Sequence, residues 1–278
     1  MEELCQALAG MGKTLVFTSG SGVFMKDTRG DWVSDALAED DPFEPAPFLV
    51  GRVEAERIVR AAAQTGVRGM VVRPPAIWGP GDNGQVVRVY RTVATTGAAC
   101  YVGSGLAVYS SVHHDDLARL YSLAIERGAP GALYHAAGGE IPWRWIAEAV
   151  ARDPGVPTRS LSMEEAHEMF GPVGARIYSA CSRSLDQRSR TELGWRPVHL
   201  DMLSQVEEPR LRALAQPDPA GLKAGPSGHA FPGQCNLDAS KSGRTVWKRI
   251  EARYECSSWG PAGRWERRSS RISSRPRT

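Results

Sequence analysis

Two spacings of apolar residues alternate along the first part of the chain. EELCQALAG, residues 2–10, reads as a short helix ended at Gly10, and KTLVFTSG, from Lys13 to Gly20, is an apolar, β-rich run stopped by glycines, as a buried parallel strand is. SGSGVFMKDTRGDW then reads as a loop and DDPFEPAPF as a proline-broken connection. From about Leu49 to Gly66 the spacing turns helical. Ile58, Val59, Ala62 and Ala63 form an apolar stripe, and Glu54, Glu56, Arg57 and Arg60 a solvated face. GVRGMVVRP is a second apolar strand.

Beyond it, RPPAIWGPGDNG reads as a Pro/Gly loop, QVVRVYRTVATTG as a helix, and AACYVGSGLAVYSSV as an extended stretch turning at Gly103–Gly105. HHDDLARLYSLAIERG is a helix with Asp115 or Asp116 near its N-cap, GALYHAAGG a short strand, and IPWRWIAEAVAR a helix with Pro142 near its start. Strands alternating with helices of this length predict right-handed βαβ units and an α/β fold, with a mainly parallel sheet covered on both faces. After about Glu208 the periodicity dissolves, and residues 209–278 are expected to be a disordered basic tail with at most a short helix around Val246–Tyr254.

Composition changes this picture in one place. The net charge of +3 hides 20 basic against 26 acidic residues up to Glu208, and 14 against 5 from Pro209 onward. Such a tail reads as solvated charge or as a non-specific phosphate contact, the nucleic-acid reading being the lesser. No run approaches the ~18 apolar residues of a membrane span, and Glu2 and Glu3 before Leu4 lack the order of a secretory signal, so the expected compartment is the cytoplasm. Cys5, Cys100, Cys181, Cys235 and Cys256 show no metal or disulfide spacing and read as reduced thiols. Trp143, Trp145 and Trp195 read as core packing, and His135 as a satisfied core or substrate-lobe histidine.

Five segments in order, LVFTSGSGVF (15–24), EAERIV (54–59), VVRPPAIWGPGD (71–82), VHHDDLARLYSLAIE (112–126) and ELGWRP (192–197), resemble the extended, atypical short-chain dehydrogenase/reductase family of the NAD-dependent epimerase/dehydratase type. The resemblance covers about residues 4–200. It implies a partial Rossmann-like doubly wound parallel sheet over residues 1–139, with residues 84–111 contributing to a small substrate lobe at 140–208. It also implies NAD or NADP as cofactor, a small hydroxy or keto substrate, and a homodimer through helices 2–10 and 49–65. The family's glycine-rich turn between first strand and first helix has no counterpart here, so Met1 is expected to fall inside the domain, with roughly 90 residues of the family pattern lacking and an open sheet edge in consequence.

The family's active site joins a Ser or Thr after a strand to a Tyr and a Lys four residues later. By resemblance the Tyr position falls on Phe48 and the Lys position on Arg52, and the hydroxyl position on Gly20, with Thr18 and Ser19 as neighbouring hydroxyls. Phe48 has no proton to give, whereas Arg52 keeps a charge that can hold the nicotinamide ribose. Arg73, Pro74 and Pro75 are expected at the edge of the nicotinamide site, or else form a rigid loop without ligand. Tyr101, Tyr109 and His113 are the candidate replacement donors, on a loop facing the substrate cleft. No metal site is expected at His113–Asp116, because adjacent residues do not readily face one ion. An oxidoreductase or epimerase is thus weighed against a catalytically inactive remnant or a binding or regulatory module.

Overall fold

The computed structural model describes residues 1–80 and 84–216, which fall within one compact unit. Helix α1 (Glu2–Leu8) leads into strand β1 (Thr14–Thr18); a 3-10 turn at Ser21–Phe24, a two-residue strand β2 (Lys26–Asp27) and a second 3-10 turn at Pro47–Leu49 precede helix α2 (Val50–Ala61). Strand β3 (Arg68–Arg73) runs parallel to β1, with Thr14 beside Arg68 and Thr18 beside Val72. Then come β4 (Ala76–Trp78), α3 (Gln85–Thr96), β5 (Ala99–Val102), β6 (Val108–His113), α4 (His114–Arg127) and β7 (Leu133–His135). β7 joins the far side of β3, giving the parallel order β1-β3-β7.

Side chains of a strand alternate between faces, and here both faces are apolar. Leu15, Phe17, Val71 and Leu133 pack with Cys5, Ile58 and Val59 of α1 and α2. Val16, Met70, Val72 and Tyr134 point the other way, onto Leu117, Leu120 and Ala124 of α4. Helices on both faces make the doubly wound layer expected of such continuous apolar runs. Gly69 sets how close α2 comes: a Cβ there would stand 2.1 Å from the Val59 carbonyl oxygen. Among the described residues β1 has no ladder partner besides β3.

A second core sits beside the sheet. Strand β8 (Gly139–Pro142), helix α5 (Trp143–Arg152), β9 (Thr158–Leu161), α6 (Met163–Ser179), β10 (Ala180–Cys181), α7 (Gln187–Leu193) and α8 (Pro209–Leu214) complete the described chain. α6 is kinked at Gly171, just before Pro172. β6 lies between β4, parallel, and β8, antiparallel; β5 pairs with β9 and β10 with β2. Val86, Val89 and Tyr90 of α3 pack with Trp143, Ile146 and Val150 of α5, Tyr178 of α6 and Leu211 of α8. α7 instead covers the α4 side of the sheet, burying Leu193 with Trp195 beyond it.

Several expectations change. The RPPAIW stretch is not all loop, because β6 supplies a partner for Ala76–Trp78. Residues 99–113 are extended on either side of the turn at Gly103–Gly105, as expected, with β5 pairing to β9 and β6 to β4 and β8. His113 rather than an aspartate caps α4, its Nδ1 accepting from the Asp115 N–H. Glu56 is buried rather than solvated, and Trp145 is exposed. The packed chain also extends past Glu208, with Leu211 fully buried and Arg212 paired to Asp153. Residues 81–83 and 217–278, including the helix expected at 246–254, lie outside the described residues. Among the described residues no helix is long and apolar enough to cross a membrane.

Candidate active site

The corner where β1 ends is built by pairing that outlasts the strand. Ser19 N–H donates to the Val72 carbonyl at 2.8 Å and Ser21 N–H to the Pro74 carbonyl at 3.0 Å, so the chain after Thr18 stays zipped to the end of β3. Pro74 and Pro75, with φ restricted, hold that end rigid. Ser19 lies on the α2 side of the sheet by the alternation of Leu15 and Phe17, and its buried Oγ has no hydrogen-bond partner. From α2, half-buried Arg52 donates through Nη1 to the Ser19 carbonyl at 3.2 Å. A fixed positive charge and an uncommitted hydroxyl therefore meet at the C-terminal end of a parallel strand, where ligands of open α/β sheets bind.

Thr18 does not join them. It shares the parity of Val16, and its hydroxyl is 2.7 Å from the Tyr121 hydroxyl on α4, across the sheet from Arg52. Phe48 lies in the 3-10 turn before α2, half exposed, with the Arg176 guanidinium 5.4 Å from its ring centre. No phenol stands at that position to exchange a proton.

Behind the corner lies a buried ionic cluster that sequence pattern did not reveal. Arg73 donates to Glu56 through Nε at 3.0 Å and Nη2 at 2.5 Å, with side chains only 5% and 3% exposed. Its side chain is thus committed to the protein interior. His135 Nδ1 is 3.0 Å from the Leu185 carbonyl, which assigns the ring proton to Nδ1 and leaves Nε2, 3.3 Å from Arg73 Nη1, as the acceptor. Burial, and then the Arg73 charge, push His135 down to about 4, so it is neutral. Phe43 and Phe24 flank the guanidinium at 5.0 and 5.8 Å. Glu39 closes the far side, its Oε1 accepting from the N–H groups of His135, Arg188 and Ser189, while burial raises its carboxyl pKa. Periodicity gave no signal for this cluster, since it sets Glu56 on a solvated helix face.

Tyr101, Tyr109 and His113 sit in strands β5 and β6 rather than on one loop, and each has its own neighbours. The Tyr101 ring faces the Arg144 guanidinium at 5.9 Å. Tyr109 is buried, its hydroxyl donating to Met25 Sδ at 3.6 Å, and burial pushes its phenol above the ordinary range, which makes it a poor acid. His113 stacks on His199 at 4.1 Å, and burial, then the neighbouring His199 and His114, lower its pKa. A cavity of about 450 Å³ lies here, lined by Trp78, Gly79, His113, His199, Gln205 and others, and not by Ser19 or Arg52.

Comparison with known proteins follows the same division. Residues 1–137 match the model of the NAD dependent epimerase/dehydratase family. The uncharacterized protein C2A9.02 of Schizosaccharomyces pombe is 29% identical over 209 residues, which cover 74% of this chain and 68% of that protein. A 2-alkyl-3-oxoalkanoate reductase of Stenotrophomonas maltophilia is 29% identical over 180 residues, 61% of this chain and 53% of the reductase. Among solved structures, DesIV, a dTDP-glucose 4,6-dehydratase from Streptomyces venezuelae with NAD and TYD bound, superposes with a TM-score of 0.58 at 22% identity, covering 74% of this chain and 62% of that one. The chain spans about half to two thirds of these proteins. The matched residues build the three parallel strands and the Ser19–Arg52 corner, so the part of the chain that is similar to the NAD dependent epimerase/dehydratase family is the part that carries this corner.

Proposed function

We propose that this chain serves an NAD(P)-dependent oxidoreductase or epimerase reaction on a small hydroxy or keto compound, through an atypical site centred on Ser19 and Arg52. The observation that carries the reading is the pairing of Arg52 Nη1 with the Ser19 carbonyl beside a buried, unpartnered Ser19 hydroxyl. A buried hydroxyl without a partner costs stability unless a ligand completes it, and a substrate oxygen does so. Ser19 orients and polarises that oxygen. Arg52, whose guanidinium has five N–H donors, has donors to spare for a ribose hydroxyl. A bound nicotinamide would supply the hydride donor or acceptor. Pro74 and Pro75 fix the backbone that borders it, and the 2-alkyl-3-oxoalkanoate reductase among the relatives supports a keto substrate.

The same reading puts the protein in the cytoplasm, in line with the buried free thiols Cys5, Cys100 and Cys181 among the described residues, and pairs two copies through α1 and α2, where Leu4 and Val50 are exposed. Phe48 favours a second reading, a module that binds the dinucleotide without proton transfer.

Titrating the protein's tryptophan fluorescence with NADH and NADPH tests both. Saturable quenching at micromolar concentration supports dinucleotide binding, and turnover of short-chain ketones then separates enzyme from binding module. No response up to millimolar concentration of either cofactor overturns both readings.

A further inference from the structure

The strand-to-helix junction at His113 gathers groups that the oxidoreductase reading leaves unused. In a continuous strand adjacent side chains point to opposite faces, and in a helix they diverge by about 100°. His113 ends β6 in extended backbone, φ −71° and ψ 142°, and His114 is the first helical residue of α4. The change of backbone between them swings the two side chains to one side. Their ring centres lie 4.4 Å apart at 59°. Asp115 completes the group, with Oδ1 3.2 Å from His114 Nε2 and Oδ2 3.7 Å from His113 Nδ1. One donor atom from each of the three residues lies within 4.8 Å of the other two. Around zinc, with bonds of about 2.0–2.1 Å, tetrahedral donors stand about 3.3–3.4 Å apart, a spacing that the 3.2 and 3.7 Å separations between the Asp115 carboxylate and the two imidazoles bracket.

The surroundings hold the imidazoles in place. The backbone at Gly79 passes so close that a Cβ there would stand 2.2 Å from His114 Nδ1 and 3.0 Å from His113 Nε2. His114 Nδ1 is consequently buried and has no hydrogen-bond partner, which leaves Nε2, the nitrogen facing Asp115, for a ligand. His113 is further clamped between the His199 ring at 4.1 Å and the Trp78 ring at 4.6 Å. Rings locked by packing are pre-organised for a ligand. Meanwhile His114 and Asp115 are partly open to solvent, so an ion has access and water can fill the remaining positions.

We propose that His113 Nδ1, His114 Nε2 and the Asp115 carboxylate bind a divalent transition-metal ion of the zinc class, completed by solvent. Two imidazoles and one carboxylate suit zinc, cobalt or nickel better than magnesium or calcium, which take oxygen ligands. The ion takes over the Nδ1 lone pair that now accepts from the Asp115 N–H, and ties the end of β6 to the first turn of α4. The site is independent of dinucleotide binding.

Cobalt(II) is the probe, titrated into the full chain after chelator treatment. The expected result is the visible absorption of nitrogen- and oxygen-ligated cobalt at one equivalent, displaced by Zn²⁺, with affinity weakened at least tenfold in both His114→Ala and Asp115→Asn. Circular dichroism confirms that each variant is folded; Asp115, on the surface, is the safer of the two. Thiolate ligation by cysteines elsewhere in the chain has its own near-ultraviolet charge-transfer band. No visible signal, a thiolate band alone, or a signal unchanged in both variants would overturn the proposal.

Discussion

The buried Arg73–Glu56 pair anchors α2 to the end of β3, and so sets where Arg52 meets Ser19. Glu56→Gln keeps the shape and removes the charge. The guanidinium, 5% exposed, would then lie buried without its counter-ion. Breaking a buried pair in this way costs about 3–5 kcal/mol. His135 Nε2 at 3.3 Å and the Phe43 and Phe24 rings at 5.0 and 5.8 Å still stabilise the cation, each aromatic contact by about 0.5–2 kcal/mol, which moves the expectation to the lower end, about 3 kcal/mol. For a domain of this size about 2–4 °C is lost per kcal/mol, so the melting midpoint should fall by about 6–12 °C. Urea denaturation should show the same loss as a lower midpoint with an unchanged slope. The double variant Glu56→Leu/Arg73→Met, which removes both charges for apolar groups, should recover most of the stability. A loss below about 1 kcal/mol in Glu56→Gln, or a double variant weaker than the single, would refute the reasoning.

Three further outcomes follow from the same geometry. His135 is held at about 4 in the fold against about 6.5 in an unfolded chain, so as pH falls the unfolded state takes up the proton first. Stability should be full above about pH 6.5 and decline by about 3 kcal/mol toward pH 4; the urea midpoint of His135→Gln should lack that component of the slope, and parallel profiles would count against it. Introducing the family's groups with Phe48→Tyr and Gly20→Ser should raise any ketone-reducing turnover by about 10²–10⁴-fold, the range of general acid catalysis. Both changes fit, since Phe48 is half exposed and a Cβ on Gly20 meets nothing nearer than the Pro74 carbonyl at 3.6 Å; unchanged turnover in a protein that binds NAD(P)H would place the acid elsewhere. Thr18→Val should cost about 1 kcal/mol, from the lost 2.7 Å bond to Tyr121, yet leave dinucleotide quenching unaltered, whereas Ser19→Ala should weaken turnover of any ketone reduced. Loss of quenching in Thr18→Val would reverse the assignment of the two hydroxyls.

Local sequence determined the elements whose apolar spacing is regular. The runs at 14–18, 68–73 and 133–135, and the helices at 50–61, 85–96 and 114–127, were legible because each buries a face that repeats every two or every 3.6 residues. The same pattern said that the strands are covered on both sides, because Val16, Met70 and Val72 are as apolar as Leu15, Phe17 and Val71. Resemblance added the register that sets Phe48, Arg52 and Gly20 against a family's active site. What the chain could not show locally are the meetings of distant residues. Glu56 read as a surface charge because periodicity sees only its own helix; it is buried because Arg73 rises from another element to neutralise it. Thr18 and Ser19 are equivalent as adjacent hydroxyls, and only the packing of α4 on one face and α2 on the other gave the first to Tyr121 and the second to the Arg52 corner. His113, His114 and Asp115 converge through the change from strand to helix at His113, up to which β6 pairs with β4. Spacing encodes which face a residue takes, but the charge, hydroxyl or ring it finds there comes from chain tens of residues away, and only the folded arrangement supplies that partner.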